Sequence, residues 1–242
     1  GNGWNYNVNV RKSMEKSKPT ERRLTMLYII DTANLEKIAY CNEFYPIDGV
    51  TTNPSIISKE HSDFKALILG IRKIIGPDKM LHVQTTATEA SAIVEEAKEL
   101  RALLGENFFI KIPITEDGLK ATMELKKIGI GVTVTAIFTQ QQAFMAAKAG
   151  ADFVAPYINR LDNIVSDGVH VVEEIVNLFR LHNITTCKVL AASFKNAEQV
   201  HKVAMVGAQA VTINPDLFPH LIYHPLTMYA IDDFDKDWES VY

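Results

Sequence analysis

The chain has 242 residues, 47% of them hydrophobic and 22% charged, with a formal net charge of -4. That balance describes an ordinary soluble globular protein and supplies no basic face for nucleic acid. Two cysteines far apart, Cys41 and Cys187, exclude a disulfide framework or a CxxC clip and point to a reducing, cytoplasmic compartment, and no apolar run approaches the ~20 residues that span a bilayer.

Residues 1–25, GNGWNYNVNVRKSMEKSKPTERRLT, carry six basic and two acidic residues and almost no hydrophobic periodicity. They lack the apolar core of a secretory signal. They read as a disordered leader or an added N-terminal extension, with one folded domain over 26–242. Without them nineteen basic residues stand against twenty-seven acidic ones, so the folded body is more acidic than the whole chain.

From Leu27 onward, short β-branched runs alternate with longer amphipathic stretches. The strand candidates are LYII (27–30), GVTT (49–52), LHVQT (81–85), FFIKI (108–112), GVTVTA (131–136), FVAPYI (153–158), KVLAAS (188–193) and AVTI (210–213). After the third, TEASAIVEEAKELRALLG predicts a helix with Ala92, Ile93, Ala97, Leu100 and Leu104 on one stripe and a stop at Gly105. After the fourth, TEDGLKATMELKKIG predicts a helix capped by Thr115 and ended by Gly129. NIVSDGVHVVEEIVNLFRLH carries the longest stripe. Eight strands, each followed by a helix, predict an α/β fold of the (β/α)8 TIM-barrel type. A doubly wound sheet is the alternative, although DTAN rather than a glycine-rich phosphate loop follows the first strand. Beyond the eighth unit, HPLTMYAIDDFDKDWESVY predicts an additional C-terminal helix with aromatic residues enough to pack on something.

In such a barrel the active site forms where the strands end at their carboxyl side. Polar residues at or just past those ends are Asp31, Thr51 with Asn53, Gln84, Lys111, Thr135, Tyr157 with Arg160, and Ser193; the eighth strand offers Asn214. Asp31 and Asn214 have a second reading as helix caps, and Gln84 and Thr135 as satisfied polar residues of the interior. Lys111, inside FFIKIPIT, shares its side of an extended chain with Phe109 and Pro113. By position alone it reads as a lysine whose stem reaches water. Within a closed barrel a strand has no free edge, and the catalytic mouth becomes the exit.

An unperturbed lysine, with a pKa near ~10.4, holds on the order of 0.1% free amine near neutral pH. Burial penalises the ammonium and lowers the pKa toward ~7–8, making the amine a nucleophile able to form a Schiff base with a ketone. The iminium then draws electrons from the adjacent carbon–carbon bond, so aldol cleavage needs neither metal nor cofactor. His220 and His224 in HLIYH stand at i, i+4 as half a zinc site would, but no HExxH glutamate accompanies them and Pro219 and Pro225 shorten any helix. No metal site is expected.

With YIIDT, DGVTTNPSII, FFIKIPIT, VAPYINR and KVLAASFKNAEQV in view, the chain resembles the transaldolase family of class I aldolases over all eight units, and its fructose-6-phosphate aldolase branch most. The resemblance implies that Lys111 is the Schiff-base lysine and that Asp31 assists proton transfer at the sugar hydroxyls. Asn53, with Thr51 beside it, would meet the dihydroxyacetone part, and Arg160 and Ser193 the phosphate of a sugar phosphate substrate. Transaldolases that resemble this sequence place glutamate at Gln84 and phenylalanine at Tyr157; the residues here are those of the aldolase branch, in which Tyr157, Gln84 and Thr135 hold a water that protonates the enamine. The chain departs from that branch at Phe138, where tyrosine is expected. The resemblance also implies a homo-oligomer, a pentamer or decamer, with the C-terminal helix reaching a neighbour.

Overall fold

The computed structural model describes residues 25–242. All of the expected N-terminal extension except Thr25 therefore lies outside the described residues. Eight parallel strands close into a barrel in the order of the sequence, β1 (Leu27–Asp31), β2 (Gly49–Thr51), β3 (Met80–Gln84), β4 (Phe108–Pro113), β5 (Gly131–Ile137), β6 (Phe153–Pro156), β7 (Lys188–Ala191) and β8 (Ala210–Ile213). Pairing of β1 with β8, Leu27 opposite Ala210, completes the cylinder. This is the (β/α)8 TIM barrel that the alternation predicts, and the doubly wound sheet is excluded.

Ten helices accompany the strands among the described residues: α1 (Leu35–Phe44), α2 (Pro54–Ser58), α3 (Phe64–Ile75), α4 (Ala90–Leu104), α5 (Glu116–Lys127), α6 (Gln140–Lys148), α7 (Ile158–Asp162), α8 (Gly168–Leu181), α9 (Ala197–Met205) and α10 (Pro225–Glu239). Their starts follow the sequence. Thr115 accepts from Gly118 N to cap α5, and Thr139 and Gln142 form a capping box on α6. Gly105 and Gly129 stop α4 and α5 with φ of 88° and 75°, a left-handed turn that favours glycine.

Outward strand residues such as Ile110 and Ile112 are fully buried against the helix layer, with Leu81, Val132 and Val154 beside them. The inward set forms a second, smaller cluster of Ile29, Phe153, Leu190 and Ala210, with Phe109 packed on it. His82 stacks on Phe109 at 4.7 Å between ring centroids and meets Phe153 edge-on at 5.2 Å. These rings need room, and Gly131 supplies it: a Cβ there would lie 2.5 Å from the Phe109 ring. The aromatic layer plugs the barrel below the site.

Two expectations require correction, and a third is met without cover from this chain. Ala92 is exposed; Ala90 and Val94 complete the buried stripe of α4 instead. Ala92 stands three and four residues before Glu95 and Glu96, on the polar face of the helix. Asp117 of α5 accepts from Ala90 N at 2.9 Å where Glu89 gives no side-chain cap. β6 and β7 stop short of Tyr157 and Ser193, leaving one isolated bridge between Tyr157 and Ala192, since Ser193 turns to φ 65° and Tyr157 already precedes α7. Finally, α10 forms as expected but buries no residue within this chain: Leu226, Tyr229, Phe234 and Trp238 are all exposed.

Candidate active site

The carboxyl ends of the strands open into a cavity of about 590 Å³ lined by Asp31, Asn53, Gln84, Tyr157, Arg160 and Ser193, together with Lys59, Lys195, Thr212 and Asn214. Three further residues singled out from the sequence, Thr51, Lys111 and Thr135, lie directly beneath, each buried. The structure therefore brings all nine candidates to one end of the barrel.

Lys111 is 5% exposed, and its Nζ donates to the Thr52 carbonyl at 2.9 Å. Register sets it opposite Gln84 on β3 and Thr133 on β5. Burial lowers its pKa, opposed by the nearby Asp31 carboxylate. Asp31 shifts the other way: burial raises its pKa, against Lys111, the Thr51 hydrogen bond and Lys59. In both groups desolvation dominates, so each charge is weakened and neither is discharged by a close ion pair. Backbone carbonyls cannot take a proton as a carboxylate can, so an amine bonded to Thr52 keeps its lone pair available.

Thr51 donates to Asp31 Oδ1 at 2.9 Å and meets the Thr212 hydroxyl on its other side. It is fully buried, so its hydroxyl serves Asp31 rather than facing the cavity. Asp31 does not cap a helix; Asn34 caps α1. Asn53 Oδ1 accepts from Ile56 N to cap α2, and the residue lines the cavity, its amide nitrogen without a partner among the described residues. Asn214 caps the 3-10 helix Pro215–Leu221 and lines the cavity as well, so both of its readings hold.

Across the mouth, Thr135 Oγ1 and Tyr157 Oη are 2.9 Å apart. The contact depends on an irregularity: the β5–β6 register shifts between Val134 and Ile137, and Ala136 takes φ 58°. A bulge of this kind re-aims side chains at a barrel rim. Arg160 lies over the Tyr157 ring at 5.0 Å, and Phe138 packs edge-on against the same ring at 5.5 Å. Phe138 thus adjoins the site through Tyr157.

Below Lys111, His82 Nδ1 lies 2.8 Å from Thr133 Oγ1 while Nε2 has no partner among the described residues. Burial, then Lys111, pushes its pKa down to about 3. A neutral imidazole adds no charge beneath the lysine. His220 and His224 do not share a helix face: the first is in the 3-10 helix and the second caps α10.

Sequence reasoning missed Thr52, Thr212, Lys59 and Lys195. Thr52 acts through its carbonyl, which leaves no side-chain signal. Thr212 had one: it is polar and shares the inward parity of Ala210 and Asn214.

A closed parallel barrel with a buried lysine and convergent polar groups at its carboxyl mouth is the frame of a (β/α)8 enzyme. The family model described as Transaldolase/Fructose-6-phosphate aldolase matches residues 28–242. A "Probable transaldolase" of Nitrosopumilus maritimus (strain SCM1) is 41% identical over 216 residues, covering 89% of this chain and 96% of that protein. A "Probable fructose-6-phosphate aldolase" of Streptococcus pneumoniae (strain ATCC 700669 / Spain 23F-1) is 39% identical over 214 residues, covering 88% and 96%. A solved structure described as "Native KDPGal structure" overlays with a TM-score of 0.57 at 14% identity, over 84% of this chain and 86% of that one, a likeness of fold. The chain belongs to the transaldolase/fructose-6-phosphate aldolase family, a family of enzymes.

Proposed function

We propose that this protein is a class I aldolase that cleaves fructose 6-phosphate reversibly to dihydroxyacetone and glyceraldehyde 3-phosphate through an imine at Lys111. The observation that carries the reading is a lysine buried in the barrel mouth, its pKa lowered by desolvation, bonded to a carbonyl and not to a carboxylate. Free amine is the form that adds to a ketone.

The amine attacks the keto carbon, the carbinolamine loses water, and the iminium forms. Asp31 takes the proton of the hydroxyl on the carbon beyond the scissile bond; that bond breaks, and its electrons flow into the iminium as an enamine. The aldehyde half departs with its phosphate, for which Arg160, Ser193 and the neighbouring Lys195 offer donors and positive charge. The three cations Lys59, Arg160 and Lys195 on the cavity wall make no ion pair among the described residues, while the folded body is net acidic. Such a mouth draws an anionic substrate.

The enamine must then be protonated. Tyr157 and Thr135 already share a hydrogen bond, and the Gln84 amide faces the same cavity, so the three can hold the water that delivers the proton. Protonation and hydrolysis release free dihydroxyacetone. The second reading, transfer of the dihydroxyacetone unit to erythrose 4-phosphate, is favoured by relatives such as the Nitrosopumilus protein being named as probable transaldolases. Incubation with fructose 6-phosphate alone separates the two. Steady release of dihydroxyacetone is expected; no release of it, with glyceraldehyde 3-phosphate and sedoheptulose 7-phosphate formed only once erythrose 4-phosphate is added, would establish transfer instead.

We further propose that the chain works as a homo-oligomer whose α10 packs on a neighbouring copy, since its apolar residues find no cover within the chain. Among the described residues no helix is long and apolar enough to cross a membrane.

A further inference from the structure

Beneath the wall of the cavity three side chains from three strands stand in a row: Thr212 of β8, Thr51 of β2 and Asp31 of β1. Thr51 Oγ1 lies 2.9 Å from Asp31 Oδ1, and the two threonine hydroxyls are in hydrogen-bond contact. Thr51 is fully buried and Thr212 is 3% exposed. Asp31 and Thr212 both border the cavity, whereas Thr51 lies behind them.

Counting hydrogens fixes the direction of this row. Each threonine hydroxyl has one hydrogen to give. A carboxylate can only accept, so the Thr51 hydrogen goes to Asp31; the alternative acceptor, the Ile30 carbonyl, is farther away at 3.5 Å. The contact between the two hydroxyls then needs a hydrogen from Thr212. Thr212 has no other side-chain partner among the described residues, so its hydrogen is free for that use. The chain runs Thr212 to Thr51 to Asp31, each donation polarising the next.

We propose that Thr212, which touches Asp31 only through Thr51, is a positioning residue for the cleavage step: it orients the Thr51 hydrogen toward Asp31 Oδ1, so that Oδ1 is held as an acceptor and Oδ2 is left to take the substrate hydroxyl proton. This rests on the reading of Asp31 as the proton acceptor. The row opposes what burial does to Asp31, since two aligned donors favour the ionised carboxylate. The charged groups facing Asp31 are Lys111 from β4 and Lys59 just past α2, and neither is altered by a change at Thr212. When Asp31 has taken the proton on Oδ2, Oδ1 still accepts from Thr51, so the row keeps its direction through the step.

The test is the pH dependence of kcat/KM for acceptor-free cleavage of fructose 6-phosphate, measured between pH 5 and pH 9 for the unaltered protein, Thr212→Val, Thr212→Ser and Asp31→Asn. Valine keeps the shape and removes the hydroxyl. With Thr212→Val the acid limb should move upward by about half to one pH unit, with a rate several-fold lower on that limb and little changed on the plateau. Thr212→Ser should return the limb to its original place. A Thr212→Val limb that superimposes on the original, or a Thr212→Ser limb that stays displaced with Thr212→Val, would overturn the proposal. If the valine variant does not fold, Thr212→Ala carries the same comparison. Asp31→Asn separates the two levels: full kcat/KM in that variant would remove the role of Asp31 itself, whereas its loss alongside an unmoved Thr212→Val limb would remove Thr212 alone.

Discussion

Lys111 Nζ is bound by the carbonyl of Thr52 at 2.9 Å and makes no ion pair among the described residues. A carboxylate at that distance would hold the proton on the nitrogen and cancel the effect of burial. The carbonyl supplies an acceptor without a charge, and so satisfies the amine without opposing the loss of basicity that burial imposes.

Lys111→Met should therefore abolish chemistry and leave the barrel standing, because methionine fills the same apolar channel with no polar atom to satisfy. Borohydride reduction in the presence of dihydroxyacetone should mark the peptide carrying Lys111 in the unaltered protein and nothing in the variant, and cleavage should fall by on the order of 10³-fold or more. Persistent labelling elsewhere with activity retained would remove Lys111 from its role.

Tyr157→Phe breaks the 2.9 Å contact with Thr135 and keeps the packing against Phe138 and Arg160. The enamine then loses part of the group that holds its protonating water. Free dihydroxyacetone release should fall by about tenfold or more while transfer to added erythrose 4-phosphate rises relative to it. Product ratios measured with and without acceptor check this, and an unchanged ratio would take Tyr157 out of the partition.

These two residues also show how far the sequence could be read. The period of two along FFIKIP put Lys111 on the inner side with Phe109, and the closed barrel left it only the mouth. Tyr157 was placed in a strand that ends one residue earlier, because nothing in FVAPYI announces that Ser193, just past the adjacent strand, turns left-handed where the ladder ends. The same blindness covers Ala136: the bulge that brings Thr135 to Tyr157 is made by a residue with no bias toward it. The cap of α4 was hidden too, since the Asp117 carboxylate that accepts from Ala90 N comes from the next helix.

His82 makes a prediction about stability. Its pKa is ordinarily 6.5 and is pushed to about 3 in the fold, so between those values the unfolded chain binds a proton that the folded one refuses. Its contribution is whole above about pH 6.5 and is lost as pH falls toward 3, at on the order of 1.4 kcal/mol per pH unit. His82→Phe, which preserves the stack on Phe109, should flatten this part of the acid slope in denaturant titrations at pH 4, 5, 6 and 7. Parallel slopes for the two proteins would show that the imidazole titrates normally.

Removal of α10, in a chain ending at His224, should lower the mass seen by light scattering. The barrel's melting temperature at fixed subunit mass should change by only a few degrees, because α10 buries no residue on it. An unchanged mass would assign assembly to some other surface.

Each half of the barrel holds a different part of the candidate site. Strands β1 to β4 with their loops carry Asp31, Thr51, Thr52 and Lys111, and β5 to β8 with their loops carry Thr135, Tyr157, Arg160 and Ser193. The turn at Gly129 lies between them, on the side away from the mouth. A cut there severs neither the lysine from its carbonyl nor the tyrosine from its threonine. On the proposed function the polypeptide is in this sense two complementary fragments, one bearing the amine and one the anion clamp. Made apart, neither would hold the whole set of residues; activity is expected to return only when β4 again lies beside β5 and β8 beside β1.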